Sequence, residues 1–189
     1  TTMAQAVNKH LSPLHRPRPG RPLRKALDLW PKAGRLLVAE RTWLKTQRLA
    51  AVRLDTKVLS NVWKPVALHQ DSTDDEKTLA LWLNCTVGLL LLWMQRQETR
   101  GAWIEFKKWA VLATPVLDVR ALSPDQKQAL VGAYDRLCHQ PLLPFPEMAQ
   151  DPVRAEIDAA IAQALGLPDF SILRQLLAQE PVVCLKPLA

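Results

Sequence analysis

Glycine, cysteine and histidine are all scarce in this sequence, and each shortage argues against a class of site. There are only 6 glycines in 189 residues and no GxGxxG pattern, so a nucleotide-binding loop is not expected. The cysteines Cys85, Cys138 and Cys184 are widely spaced, which argues against zinc. The four histidines lie in no recognisable catalytic frame. We therefore predict neither a metal site nor a catalytic residue.

The sequence also lacks an apolar run long enough to cross a membrane. The most apolar stretch, 79–94, has sixteen residues, which is short of the roughly 20 that a spanning helix needs. A small, odd number of cysteines is typical of a reducing compartment. We therefore predict a cytoplasmic protein without membrane contact. The opening Thr1-Thr2-Met3 is not a usual start and predicts a piece of a longer protein.

Positive charge is concentrated in the first part of the chain. Residues 1–70 contain 14 Lys and Arg against 3 Asp and Glu, whereas residues 71–189 contain 11 against 15, which together give the net charge of +7. A basic part beside a mildly acidic part is typical of a protein that binds a polyanion. A solvated basic surface without a partner is the alternative.

Residue patterns predict an α+β fold in three parts: a basic Pro-rich arm with a short helix (1–33), an α+β domain (34–120) and a helical C-terminal extension (121–189). The arm combines a helix over 1–11 with a stretch around 15–22 that prolines keep extended. The domain is a small antiparallel sheet packed on a buried central helix. Its strands are predicted over 34–41, 49–54 and 58–68, with a hairpin turn at 55–57 and a loop over 42–48. A helix over 74–96 follows, then a short strand within 103–108 and an extended segment over 111–119.

Helix signals dominate the last part of the chain. Ser123, Pro124 and Gln126 form an N-terminal capping signature, which predicts a helix to about residue 139. Asp151 begins a second helix, which Gly166 ends. A short helix is predicted over 171–179 and an extended tail over 181–187.

Basic side chains interleaved with amides and aromatic residues mark the candidate binding surface. Arginine and lysine suit phosphates or guanine, and glutamine and asparagine suit adenine. The run 41–48 and the turn and strand at 55–64 are the first choices, and two lysines after the later strand are second choices. The candidate DNA-binding residues are Arg41, Lys45, Gln47, Arg48, Arg53, Lys57, Asn61, Lys64, Lys107 and Lys108.

A nuclease site is an alternative interpretation of one tripeptide. Glu105 and Lys107 have the Glu-x-Lys spacing of metal-dependent nucleases, in which two acids hold the metal and the lysine positions water. The second acid should end an earlier strand, but Asp71, Asp74 and Asp75 lie in a predicted loop or helix cap. A core Phe106 with Lys107 on the surface is the favoured interpretation.

The order of three segments resembles a known family. The helix LWLNCTVGL (81–89) precedes Phe106-Lys107-Lys108 and then LATPVLD (112–118). This order is similar to target-recognition domains of type I specificity subunits and of N6-adenine DNA methyltransferases fused to their specificity region. The run 34–66 also resembles these domains, and 151–167 is more weakly similar to their helical tail. Thr114 stands where the family usually has Leu or Ile.

The resemblance implies recognition without catalysis. The Asn-Pro-Pro-Tyr/Phe motif and the S-adenosylmethionine loop of such a methyltransferase are absent from this sequence. The expected partners are therefore double-stranded DNA and a catalytic domain, of the same parent chain or complex, that flips and methylates adenine with S-adenosylmethionine. A structural or protein-interaction module with a basic face remains the other alternative.

Overall fold

The computed structural model describes residues 2–5, 19–22, 25–70, 72–98 and 103–184, and it has the predicted α+β fold. The strands are β1 (Ala4–Gln5), β2 (Gly34–Ala39), β3 (Arg41–Trp43), β4 (Ala51–Val58), β5 (Trp63–Val66), β6 (Gln97–Glu98) and β7 (Trp103–Glu105). The helices are α1 (Ala26–Leu29), α2 (Thr73–Asn84), α3 (Thr86–Trp93), α4 (Lys108–Ala113), α5 (Pro124–Leu137), α6 (Pro152–Leu165), α7 (Ser171–Ala178) and α8 (Pro181–Cys184). About half of the predicted basic arm (1–33) and the end of the predicted tail lie outside the described residues.

A four-stranded sheet has the order β1-β4-β2-β5, so β2 lies between β4 and β5 and pairs antiparallel with both. The predicted hairpin with a turn at 55–57 is therefore wrong. β4 continues through those exposed residues, because Val58 still pairs with Gly34. The chain turns after β4 instead, where Ser60 Oγ accepts the N–H of Trp63 at 3.0 Å.

The edge strand β1 replaces part of the helix predicted over 1–11. Ala4 pairs in parallel with Arg53 of β4, and the N–H of Ala4 donates to the carbonyl oxygen of Cys138 at 3.0 Å. The neighbouring Met3 is fully buried in the core. The helix prediction fails because a strand whose partners are distant in sequence leaves no local pattern.

A second, three-stranded sheet has the order β3-β7-β6 and is antiparallel throughout. The predicted loop over 42–48 is thus shorter, since β3 includes residues 42 and 43. Leu44, only 1% exposed, anchors the start of the remaining loop in the core. The strand predicted within 103–108 is confirmed as β7, but α4 replaces the first part of the extended segment predicted over 111–119.

The predicted central helix is two helices joined at Cys85. Ser72 caps α2, with its Oγ accepting the N–H of Asp75 at 3.2 Å. At the joint, the Sγ of Cys85 accepts the N–H of Gly88 at 3.3 Å and so caps α3. A Cβ on Gly88 would lie 2.0 Å from the carbonyl oxygen of Trp82, so only glycine fits there. Burial raises the pKa of the Cys85 thiol to about 12, which keeps it protonated and argues against a nucleophilic role.

The C-terminal helices follow the predicted signals closely. Ser123 and Gln126 form the capping box of α5, and Gly166 ends α6 with φ of 64°. α8 replaces the start of the predicted extended tail. Helix α5 packs on α2 and on α6, and buried apolar side chains from Met3 to Val183 form one continuous cluster. The C-terminal helices therefore share a core with the sheet that precedes them.

Candidate nucleic-acid interface

Strands β3 and β7 form an antiparallel ribbon with one buried and one solvent-facing side. Thr42 and Ile104 pair across the ribbon and are at most 2% exposed. Because side chains alternate along a strand, the flanking pairs project outward: Arg41 opposite Glu105, and Trp43 opposite Trp103. The outward side, which we call the ribbon face, therefore presents a cation, a carboxylate and two indole rings.

The two tryptophans give one end of the ribbon face a rigid surface. The rings of Trp43 and Trp103 meet edge to face, with centroids 4.9 Å apart and an angle of 84° between their planes. This geometry is a favoured one for aromatic pairs. Trp103 is 43% exposed, so an aromatic surface remains accessible to a ligand.

Charge at the other end is organised around Glu105. Arg41 Nη2 lies 3.3 Å from Glu105 Oε1, and Lys107 Nζ lies 2.9 Å from Oε2. The hydrogen bond from Lys107, reinforced by Arg41, holds the pKa of Glu105 below its ordinary value. Glu105 is therefore ionised at neutral pH and orients two cations on the ribbon face.

Further lysines extend the positive charge beyond the ribbon. Lys45 follows β3 and Lys108 begins α4 directly after β7, and both are exposed. The segments 41–48 and 103–108 together contain five basic residues and one acidic residue. Four of the predicted residues, Arg41, Lys45, Lys107 and Lys108, thus lie on two segments that the ribbon brings together.

Three predicted residues are committed to internal contacts instead. Gln47 Nε2 donates to the carbonyl oxygen of Leu49 at 2.9 Å, and Arg48 Nη1 donates to that of Leu142 at 2.9 Å. Arg53 Nε lies 3.1 Å from the carboxylate of Glu76. These side chains hold the structure together, so their availability to DNA is limited.

The last three predicted residues lie on or beside the four-stranded sheet. Lys64 of β5 pairs with Glu40 at 2.9 Å, next to the start of β3. Lys57 lies near the end of β4, where it lines a cleft of about 170 Å³ with His69. Asn61 is exposed in the turn before β5. Lys64 is therefore linked by an ion pair to the residue that precedes the ribbon.

The geometry does not assemble the alternative nuclease site. Glu105 is bound by cations on both oxygens, and Asp75 pairs with Lys127 of α5 at 2.8 Å. Asp74 lies in the exposed first turn of α2, and Asp71 is outside the described residues. Within the described part of the chain, no group of three potential metal-ligating side chains occurs.

A buried carboxylate that the sequence analysis missed anchors the scaffold behind the ribbon. Asp158 of α6 is 1% exposed. It accepts the N–H of Thr86 at 2.7 Å and the Thr86 hydroxyl at 2.6 Å, and it pairs with Arg174 of α7 at 2.6 Å. One side chain therefore joins α3, α6 and α7.

A fully buried arginine connects α6 to the loop after the ribbon. Arg154 donates to the carbonyl oxygen of Asn84 at 2.7 Å and to that of Arg48 at 2.8 Å, and its guanidinium lies over the ring of Phe145. The spacing of Arg154 and Asp158 among apolar residues of α6 could have revealed them, since residues four apart share a helix face.

The motif that carries the family resemblance is part of this scaffold. Asn84 Oδ1 accepts the N–H groups of Ala50 and Ala51, at 2.9 and 3.3 Å. Its Nδ2 donates to the carbonyl oxygens of Ala51 and Ala80, at 2.8 Å each. Asn84 is fully buried, so it fixes the start of β4 against α2 and cannot touch a ligand.

An apolar cleft of about 380 Å³ lies between β5 and α4. Its lining includes Leu36, Leu83 and Leu92 from the core. Leu112 and Val116 also line it and are 75% and 52% exposed. Exposed apolar side chains beside a cleft are typical of a contact surface.

Comparison with protein-family models, curated proteins and solved structures finds no match to this chain. Among the described residues, no helix combines the length and apolar character that a bilayer crossing requires.

Proposed function

We propose that this chain recognises double-stranded DNA as the target-recognition part of a restriction-modification adenine methyltransferase. The observation that carries the proposal is the ribbon face, where Arg41 and two tryptophans lie among Lys45, Lys107 and Lys108. The resemblance over 34–120 supplies the link to methyltransferases. Methylation with S-adenosylmethionine would belong to a catalytic domain outside this chain, so we expect binding without catalysis.

The dimensions of the ribbon suit the major groove. This groove is about 12 Å wide and admits a two-stranded antiparallel ribbon; here β3 and β7 are the two strands that carry the ribbon face, with β6 beside β7 as the third strand of the sheet. β3 and β7 have three residues each, so they span about 10 Å. With the ribbon in the groove, the lysines that follow its strands can contact the phosphates, while the side chains between them face the bases. Phosphate contacts set the position and base contacts the sequence preference.

The salt dependence of binding tests the proposal. Three phosphate contacts, from Lys45, Lys107 and Lys108, would make log Kobs fall with log salt with a slope of about −3. Fluorescence anisotropy with a random-sequence duplex should give this slope, and Lys45→Glu with Lys108→Glu should abolish binding at low salt. Arg136→Glu, an exposed change on α5, alters charge without touching the ribbon and should retain most of the affinity. No binding by the unaltered chain at low salt contradicts the proposal.

A protein-interaction module is the second candidate, and the apolar cleft between β5 and α4 favours it. In that case Leu112→Ser and Val116→Ser should prevent association with the partner domain, while Lys45→Glu should leave it unchanged. Both surfaces could serve one protein: Lys108 lines the cleft as well, whereas Arg41, Trp43, Trp103 and Glu105 of the ribbon face do not.

A further inference from the structure

We infer that Arg41 reads a guanine in the major groove and that Glu105 is the residue that positions it. The inference rests on the proposed DNA-binding function and names the base and the side chain behind part of its specificity. It assigns Glu105 a role in orienting a recognition residue, in place of the metal-binding role that its spacing to Lys107 suggested.

The side chain of Arg41 is exposed and is tethered by one hydrogen bond. It is 61% exposed, whereas that of Glu105 is 12% exposed. The hydrogen bond to Glu105 from Nη2 is the one that Arg41 makes among the described residues. The guanidinium is thus tethered at one nitrogen, and its other N–H groups make no hydrogen bond to the described residues. A planar donor fork fixed in this way loses little conformational freedom on binding.

The chemistry of the surrounding charges selects guanine over phosphate. Guanine presents two acceptors, O6 and N7, on the floor of the major groove, and arginine contacts both at once. Glu105 offsets one of the two positive charges that contact it, so this position attracts a phosphate less strongly than a lysine without a carboxylate partner does, whereas the edge of a base is uncharged. Lys45 and Lys108 have no carboxylate partner among the described residues, which suits them to phosphates.

The Trp43 and Trp103 pair helps to hold Arg41 in one position. Both indoles project from the same side of the ribbon two residues away from the Arg41 and Glu105 pair, and their edge-to-face contact fixes the spacing of the strands there. The buried Thr42 and Ile104 fix the same spacing from beneath. The arginine therefore projects from a rigid strand, which favours precise contact with a base edge.

A guanine analogue provides the test. Duplexes bound by the unaltered chain are selected from a random library, and each guanine of the selected sequence is replaced in turn by 7-deazaguanine, which lacks the N7 acceptor. One position should weaken binding by about tenfold. In Arg41→Met this penalty should disappear, because methionine has no guanidinium group to contact the N7 of guanine. Lys45→Met is the matched control: it should weaken binding to all duplexes while the tenfold penalty persists.

The variant Glu105→Ala distinguishes a role of Glu105 in positioning Arg41 from its effect on the overall electrostatic attraction to DNA. Removing the carboxylate adds to the net positive charge, so affinity for random DNA should be unchanged or higher, while the 7-deazaguanine penalty falls below about threefold. Circular dichroism checks that both variants are folded. A tenfold penalty that persists in Arg41→Met overturns this inference but leaves the proposed function standing. A selected duplex in which no guanine responds to 7-deazaguanine replacement has the same consequence. Failure of the unaltered chain to bind any duplex overturns the proposed function as well.

Discussion

Replacing Asp158 by alanine should destabilise this protein more than almost any other single change to a polar residue. The side chain is 1% exposed and binds two groups of Thr86 and the guanidinium of Arg174. Its removal leaves the Arg174 charge and the Thr86 N–H without their partner in a site from which water is excluded. Breaking a buried ion pair on one side costs about 3–5 kcal/mol.

Urea denaturation followed by tryptophan fluorescence measures this loss. With an m-value of about 2 kcal/mol/M, the midpoint should fall by about 2 M. Asp118→Ala is the matched control, because the ion pair of Asp118 with Arg120 is exposed on both sides and exposed pairs contribute little. Asp158→Leu combined with Arg174→Met should recover much of the loss, since both charges are then removed together.

A loss below about 1 kcal/mol in Asp158→Ala would refute the reasoning. It would mean that the carboxylate is not an essential partner of Arg174 in the folded state. A double variant as unstable as the single variant would refute the charge argument while leaving the packing of α3, α6 and α7 intact.

Two further predictions concern the helix joint and the ribbon face. Gly88→Ala should lower the free energy of unfolding by at least about 2 kcal/mol, because the new Cβ would clash with the Trp82 carbonyl. Gly132→Ala, where the nearest atom is 3.7 Å away, should instead raise the free energy of unfolding by up to about 1 kcal/mol. Thermal melts that show equal effects of the two substitutions would contradict this prediction. NMR titration should place the pKa of Glu105 below 4.5 and move it upward in Lys107→Met. Because the pKa of Glu105 is lowered on folding, the stabilising ion pair with Lys107 is present above pH 4.5 and is lost as the pH falls through the lowered pKa. A Glu105 pKa that does not respond to Lys107→Met would show that this ion pair is not formed.

Features that depend on local sequence could be predicted well. Ser72 and Ser123 mark helix starts because a hydroxyl must accept an N–H of the first turn, and Gly166 marks a helix end because its φ is positive. These requirements involve residues a few positions apart, so the sequence pattern contains them.

Features that depend on distant partners could not be predicted. The break at Cys85 lies in a region that is apolar on both sides, so hydrophobic periodicity gave no sign of it. Arg48 was an expected DNA ligand, but its side chain donates to Leu142, 94 residues away. The basic run after β2 and the lysines after β7 were predicted from the sequence as parts of the candidate site. The pairing of β3 with β7, which brings these two segments together, is visible only in the structure.

The contacts of Arg154 also bear on the order in which the fold can form during synthesis. This side chain holds the carbonyl of Arg48, 106 residues earlier, and Asn84, 70 residues earlier, and contacts of such long sequence separation slow folding. A nascent chain that ends before α6 has made β3, β4 and α2 but has no cation to satisfy these carbonyls. The loop after β3 therefore gains this buried partner only once α6 has been synthesised.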